Sequence, residues 1–319
     1  MKKIFIDGES GTTGLQIRQH LRAHPEVTLI SIDEDARKNL DEKKRLIAEA
    51  DLTIMCLPDL AAKELVSAVQ SIDCRLIDAS SAHRTAAQWV YGLAELSGTQ
   101  RENIRQARRV TNPGCFATGA ILLLRPLIRS GKVRADAPLA INAISGYSGG
   151  GAAMVREYES EAPPFAHHLY GLSFNHKHLP EMALYSGLES PTIFIPAVGN
   201  FHRGMLVSIP LFLAPGVTPE QLRECLAQCY SDEPFVRVAS AQESSAASQT
   251  RLEAQVVAGS NTVDLYVFGN SSGNDQSRAL LVARLDNLGK GASTAAVQNM
   301  NIMLGFPESL GLLESTGAV

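Results

Sequence analysis

The segment Ile4-Phe5-Ile6-Asp7-Gly8-Glu9-Ser10-Gly11-Thr12-Thr13-Gly14 limits the possible folds of this chain more than any other stretch. An apolar run of strand length meets three glycines spaced three apart, and an apolar helical pattern follows at residues 15–23. Strand, glycine turn and helix in that order open a dinucleotide-binding unit. Glycines let the backbone approach a pyrophosphate there, and the helix start supplies N–H donors to it. The spacing G-x-x-G-x-x-G departs from the usual G-x-G-x-x-G, so a glycine-rich turn without a ligand is the competing reading. The candidate cofactor contacts are Gly8, Gly11, Thr12, Thr13 and Gly14.

The pattern then repeats. Apolar runs at 27–32, 52–57 and 75–78 alternate with helical patterns at 41–50 and 60–69, which predicts a parallel sheet with crossover helices. Past the first third, longer runs appear at 139–145, 192–198, 205–213, 263–268 and 280–285. Two helical patterns interrupt them, at 180–187 and 219–230. That grammar belongs to an α+β domain with a mostly antiparallel sheet. A last helix is expected at 293–304. Residues 239–250, rich in Ser, Ala and Gln, read as a mobile loop. A length of 319 residues accommodates two such domains.

Charge and apolar content exclude several roles. Lys+Arg 29 against Asp+Glu 33 gives a net charge of −4 without a basic block, which argues against nucleic-acid or membrane-surface binding. The start of the chain reads as a strand and not as a signal peptide, and no apolar stretch approaches a membrane span. Five cysteines, an odd and low number, fit reduced thiols in the cytoplasm.

The chemistry centres on Thr111-Asn112-Pro113-Gly114-Cys115-Phe116-Ala117-Thr118-Gly119. Ala117, Ala120, Ile121, Leu124 and Ile128 recur at helical spacing, so Cys115 stands at a helix start. Unpaired N–H groups and the positive end of the helix dipole favour its thiolate, the nucleophilic form; a buried structural cysteine is the alternative. Pro126 lies inside the pattern and should kink or shorten the helix.

Asn175-His176-Lys177-His178-Leu179-Pro180-Glu181-Met182 is the second polar cluster. A histidine ahead of a helix can exchange protons with a thiol, and the pattern leaves His176 and His178 both open. His-x-His-x-x-Glu also admits a metal, with His167-His168 the only further ligands in reach, but no metal is expected because a zinc site needs three or four. Ser145-Gly146-Tyr147-Ser148-Gly149-Gly150-Gly151 reads as a loop where backbone approaches a ligand or another chain, or as a plain hinge. Arg84, in Asp78-Ala79-Ser80-Ser81-Ala82-His83-Arg84, follows a strand end and suits an anion, as does Arg203; surface ion pairs are the alternative for both. Asp33, expected to close the second strand, would favour the ribose of NAD, whereas Arg37 and Lys38 tilt the choice to NADP. Cys225 and Cys229 read as packing residues, and Gly289-Lys290-Gly291 fails the P-loop pattern.

A thiolate working beside a nicotinamide forms a thiohemiacetal or thioester whose carbon exchanges hydride with the ring. That logic gives aldehyde dehydrogenation or acyl reduction. The glycine turn at 8–14, the segment 78–84, Asn112-Pro113-Gly114-Cys115, the loop 145–151, His176-Lys177-His178-Leu179-Pro180-Glu181-Met182 and Asp286-Asn287-Leu288-Gly289-Lys290-Gly291-Ala292 occur together in order. By them the chain resembles the N-acetyl-gamma-glutamyl-phosphate reductase family, in the shorter of its two sequence types.

The resemblance implies NADPH-dependent reduction of an acyl phosphate of a small substrate, in arginine biosynthesis. It gives Cys115 the role of nucleophile, and His178 in preference to His176 that of acid/base. The Cys115 N–H and the Asn112 side chain would hold the oxyanion, and Arg84 and Arg203 the substrate. Arg37, Ser148, Gly149 and Asn287 would join the glycine turn as cofactor contacts. The implied architecture is a Rossmann-type doubly wound domain, 1–114, completed by a C-terminal helix, 290–319, with an inserted catalytic and oligomerisation domain, 115–289. A dimer or tetramer is implied. Aspartate-semialdehyde dehydrogenase is the nearest rival; an NADP-binding regulatory protein and a cysteine hydrolase are rivals from other classes.

Overall fold

The computed structural model describes residues 1–162, 164–270 and 277–312. They form two compact units: Met1–Gly114 with the chain from Ala292 onward, and Cys115–Gly291. The second crossing thus falls two residues beyond the expected position at 289. Of the expected C-terminal stretch, residues 313–319 lie outside the described residues.

The first unit runs β1 (Lys2–Asp7), α1 (Thr12–Arg22), β2 (Val27–Ile30), α2 (Leu40–Glu49), β3 (Leu52–Met55), α3 (Asp59–Ala68), β4 (Leu76–Asp78), β5 (Val90–Tyr91), α4 (Gln100–Gln106) and β6 (Arg109–Thr111). The sheet order is β2-β1-β3-β4-β6-β5, with every described pair parallel. Parallel strands covered on both faces lose the polar alternation of a half-exposed sheet, so Leu52, Thr53, Ile54 and Met55 of β3 are all buried. Phe5, Met55, Leu65, Leu76 and Trp89 share one core. Each such side chain contributes about 1.5–3 kcal/mol on burial. Strand order reverses between β1 and β3, which places the turn after β1 at the switch point where doubly wound sheets take ligands.

The second unit begins with α5 (Cys115–Arg129), β7 (Leu139–Gly146), α6 (Gly151–Tyr158), β8 (His167–Leu169), α7 (Leu179–Ser186), β9 (Thr192–Gly199) and β10 (Met205–Phe212). It continues with α8 (Pro219–Cys229), β11 (Val236–Val238), α9 (Ala241–Gln249), β12 (Val263–Asn270) and β13 (Arg278–Leu285). Its sheet, β11-β12-β13-β10-β7-β9-β8, is mixed, with only β11-β12 and β7-β9 parallel among the described pairs. The chain then makes a short π-turn, Gly289–Ser293, and α10 (Thr294–Leu304) completes the first unit.

Several local expectations need correction. Residues 239–250 are not a loop. Ala239 donates its N–H to the Leu265 carbonyl at 2.8 Å, and α9 follows behind a capping box of Ser240 and Glu243. Ser-Ala-Gln-Glu carried that signal, hidden by its polar composition. Of the loop expected at 145–151, Ser145 and Gly146 close β7 and residues 147–150 make a short 3₁₀ turn leading into α6. Pro126 does not shorten α5, which runs on to Arg129. The Leu122 carbonyl, whose helical donor would be residue 126, accepts the Tyr230 hydroxyl instead at 2.8 Å.

Candidate active site

In the first unit the glycine turn is built from steric necessity at two positions and from none at the third. Gly8 has φ +87°, and a Cβ on it would lie 2.3 Å from the Cys56 carbonyl oxygen. A Cβ on Gly14 would lie 2.3 Å from the Gly8 carbonyl oxygen and 2.8 Å from the Cα of Glu9. These two glycines let β1, β3 and the start of α1 close on one another. Gly11 caps α1 with ordinary backbone (φ −74°), and a Cβ there would meet only the Gly8 carbonyl, at 3.5 Å. Among the described residues nothing else lies within 4 Å of that position, as a pyrophosphate cradle requires. The N–H groups of Thr12 and Thr13 open α1 without intrahelical acceptors, and its first turn carries no acidic side chain. The residues present therefore fit a dinucleotide.

Beyond β2 the structure departs from the expected detail. The strand ends at Ile30, and Asp33 is an exposed residue leading into the turn Glu34–Ala36. Arg37 follows, 39% exposed and 3.4 Å from Glu34, a surface pair weak enough to yield to a phosphate. At the end of β1, burial pushes the Asp7 carboxyl above the usual range, against the opposing pull of Lys43 at 2.8 Å.

Arg84 and Asn112 meet in the same unit. Buried Arg84 donates from Nε to the Asn112 carbonyl at 3.0 Å. The turn that carries it is fixed by Asp78, which accepts from the Ser80 amide, the Ser80 hydroxyl (2.8 Å) and His83 Nδ1 (2.6 Å). The Asn112 amide donates to the Ala292 carbonyl at 2.8 Å, while its oxygen faces the Asn299 amide at 3.3 Å. Its side chain thus holds the turn ahead of the cysteine and has one amide hydrogen already committed.

In the second unit Cys115 is the first residue of α5. Phe116 beside it packs against Phe194 (centroids 5.3 Å), His178 (5.8 Å) and His176 (6.0 Å). The two histidine rings lie 4.7 Å apart, nearly perpendicular. Tyr170 stands 5.8 Å from His176, and its hydroxyl is held protonated well above the ordinary tyrosine range by burial and by the neighbouring Cys115 sulfur. The unit thus brings Cys115, His176 and His178 around one aromatic cluster.

The two histidines differ in environment. His176 Nδ1 accepts the His178 backbone N–H at 3.1 Å, so neutral His176 carries its proton on Nε2. Buried His178 has Nε2 4.0 Å from Oε1 of Glu181, itself 1% exposed. A carboxylate held there can compensate an imidazolium. Among the described residues no group of three His, Cys, Asp or Glu side chains is arranged to hold a metal. His168 is engaged with the Tyr158 hydroxyl at 3.0 Å.

Ser148, Asn287 and Arg203 also come together, on the same unit. The Ser148 hydroxyl donates to the His202 carbonyl and accepts from the Asn287 amide at 2.9 Å. Asn287 Oδ1 accepts the Gly204 N–H at 2.9 Å. Both side chains thereby clamp the loop carrying Arg203; a Cβ on Gly149 would press on the Ser145 hydroxyl at 3.0 Å. Tyr170, Glu181, Phe194 and Asp286 take part in the site without having been singled out from the sequence. Glu181 and Asp286 stood inside segments that carry the family resemblance, Glu181 also as a possible metal ligand, but neither was given a role there, and Tyr170 and Phe194 carried no local signal.

Residues 3–107 match the family model described as semialdehyde dehydrogenase, NAD binding domain, and residues 115–287 the one described as semialdehyde dehydrogenase, dimerisation domain. The chain is 50% identical over 321 residues to an N-acetyl-gamma-glutamyl-phosphate reductase of Trichormus variabilis, covering 97% of this chain and 99% of that protein. A protein of the same name from Sinorhizobium medicae is 46% identical, covering 95% and 98%. Among solved structures, aspartate semialdehyde dehydrogenase from Francisella tularensis superposes with TM-score 0.71 at 14% identity, covering 95% of this chain and 100% of that one. Aspartate semialdehyde dehydrogenase II from Vibrio cholerae gives 0.67 at 15%, covering 96% and 99%. At such identity the structures establish the shared fold.

Proposed function

The chain belongs to the N-acetyl-gamma-glutamyl-phosphate reductase family, and on that premise we propose how its own residues carry out the reduction of N-acetyl-gamma-glutamyl phosphate to N-acetylglutamate 5-semialdehyde and phosphate. The observation that carries the reading is a cysteine opening α5 inside a cluster with two histidines, one of them backed by a buried carboxylate.

Cys115 Sγ attacks the acyl carbon, and the C–O bond to phosphate breaks with its electrons leaving on phosphate. The product is a thioester, which sulfur leaves electrophilic. A nicotinamide dinucleotide, NADPH on our reading, supplies the hydride when bound at Gly8, Gly11, Thr12, Thr13, Gly14 and Arg37. The Cys115 backbone N–H steadies the developing oxyanion. His176 offers its Nε2–H as a fixed donor, and His178, compensated by Glu181, takes and returns the proton as the thiolate is expelled. Arg84 and Arg203 hold the anionic ends of the substrate. The Asn112 amide positions the turn before the nucleophile, and Ser148 and Asn287 act through the Arg203 loop.

We infer self-association through the second unit, whose apolar Ile193 and Phe212 are 49% and 75% exposed. No helix among the described residues is long and apolar enough to cross a membrane. We place the protein in the cytoplasm, where thiols stay reduced.

The direct test runs the reaction backwards. Enzyme with N-acetylglutamate semialdehyde and NADP should form NADPH only when phosphate is present, and Cys115→Ser should abolish it. Aspartate semialdehyde should be turned over at least ~100-fold less efficiently, as expected where buried polar groups would be left unpaired. Equal or better use of aspartate semialdehyde, or turnover that persists in Cys115→Ser, would overturn the reading.

A further inference from the structure

Arg203 is held by a partner that no functional role so far explains. Its Nη2 lies 2.7 Å from Oδ2 of Asp286 and its Nε 3.4 Å from Oδ1. Asp286 is fully buried, and its carboxylate also accepts the Gly259 N–H at 2.6 Å and the Leu288 N–H at 2.9 Å. A carboxylate anchored by two backbone donors is a rigid platform. The Arg203 side chain above it remains 23% exposed, and its Nη1 takes no protein partner among the described residues.

The geometry divides the guanidinium into two edges. The side-on edge, Nε with one Nη2 hydrogen, is spent on Asp286. The end-on edge, Nη1 with the other Nη2 hydrogen, is a second fork matched to the two oxygens of a carboxylate. Asp286 also cancels the guanidinium charge. What remains is a set of aimed donors with little net charge, better suited to a monoanionic carboxylate than to a phosphate dianion.

The same residue ties this fork to the nucleophile. The Asp286 carbonyl accepts the Gly291 N–H at 2.9 Å, and a Cβ on Gly291 would lie 2.7 Å from the Cβ of Cys115. Two contacts therefore separate Asp286 from the reacting residue. Around Arg203, the Gly204 amide is fixed by Asn287 and the Phe201 carbonyl by the Tyr147 N–H at 2.9 Å. Main chain and side chain of Arg203 are both held.

We propose that Asp286 is a positioning residue that presents Arg203 to the carboxylate of the substrate and sets its distance from Cys115. This rests on the acyl-phosphate reductase reading above. The test is a double-mutant cycle on the full-length enzyme, with Asp286→Asn, Arg203→Met and the pair, in the oxidative direction. Arg203→Met should raise the KM for N-acetylglutamate semialdehyde roughly 10- to 100-fold, the scale of a charge-assisted hydrogen bond, and change the KM for phosphate less than about threefold. Asp286→Asn should raise the aldehyde KM about tenfold, and add less than about twofold once Arg203 is gone.

Arg203→Lys keeps Asp286 paired and so protects folding, but it loses the fork. It should still raise the aldehyde KM about tenfold. An unchanged aldehyde KM in Arg203→Lys, multiplicative effects in the cycle, or a rise confined to the phosphate KM would overturn the proposal. Wild-type enzyme inert towards this aldehyde with phosphate would instead overturn the underlying reading, so the two failures are distinguishable.

Discussion

His24 Nε2 lies 3.0 Å from Oδ1 of Asn301, joining the chain just after α1 to α10 within the first unit. Its Nδ1 accepts the Glu26 N–H at 3.3 Å, so the ring is neutral with its proton on Nε2. Burial lowers the affinity of this imidazole for a second proton below the ordinary value of 6.5. The unfolded chain therefore binds the proton first. Stability from this site is complete above about pH 6.5 and declines as pH falls from there towards the lower folded value. Thermal unfolding between pH 7.5 and 5 should lose more stability in wild type than in His24→Gln, which carries no group that titrates in this range. Parallel pH curves for the two proteins would contradict this assignment.

The Tyr230–Leu122 bond makes a prediction that depends on the proline. Tyr230→Phe should cost about 1–2 kcal/mol, because it leaves a buried carbonyl without a donor. In a Pro126→Ala background the helix itself supplies an N–H to Leu122, and the same change should cost well under half as much. Chemical denaturation of the four proteins reads this coupling directly.

At the glycine turn, Gly14→Ala should destabilise the protein by about 2 kcal/mol or more through contact with backbone. Gly11→Ala meets no such obstacle and should leave the thermal midpoint within a few degrees. It should nevertheless weaken NADPH binding at least tenfold, measured by fluorescence titration, since the methyl occupies the cradle. NADPH binding unchanged in Gly11→Ala would remove the turn from the cofactor site.

Much of this was legible in the chain and some was not. The parallel sheet was readable because fully buried strands such as β3 are continuous apolar runs, and Cys115 because a helix pattern begins there. The capping box at Ser240 was local and readable in principle, but its polar run masked it. The partner of Arg203 was a different matter. Asp286 lies 83 positions from Arg203, and only the closing of the mixed sheet brings β10 and β13 side by side. Similarly, nothing in the spacing around Ser148 or Asn287 reveals that each satisfies the other.

That mutual engagement has its own expected outcome. Ser148→Ala removes one donor to His202 and one acceptor for Asn287, and should cost about 1–3 kcal/mol. It should raise the aldehyde KM, through the Arg203 loop, while the dissociation constant for NADPH alone stays within about twofold. A large loss of NADPH affinity with unchanged stability would return Ser148 to the cofactor site.

The boundary between Gly114 and Cys115 bears on how such enzymes can be recombined. The glycine turn and Cys115 fall in different units, so hybrids of two relatives can inherit them separately. The exchange must carry two pieces together. Asn299, on α10, donates to the Gly92 carbonyl at 2.8 Å and faces Asn112 Oδ1 at 3.3 Å. A hybrid that replaced residues 1–114 alone would set that asparagine against foreign partners, whereas one that also replaced the chain from Ala292 onward would keep both of its contacts native.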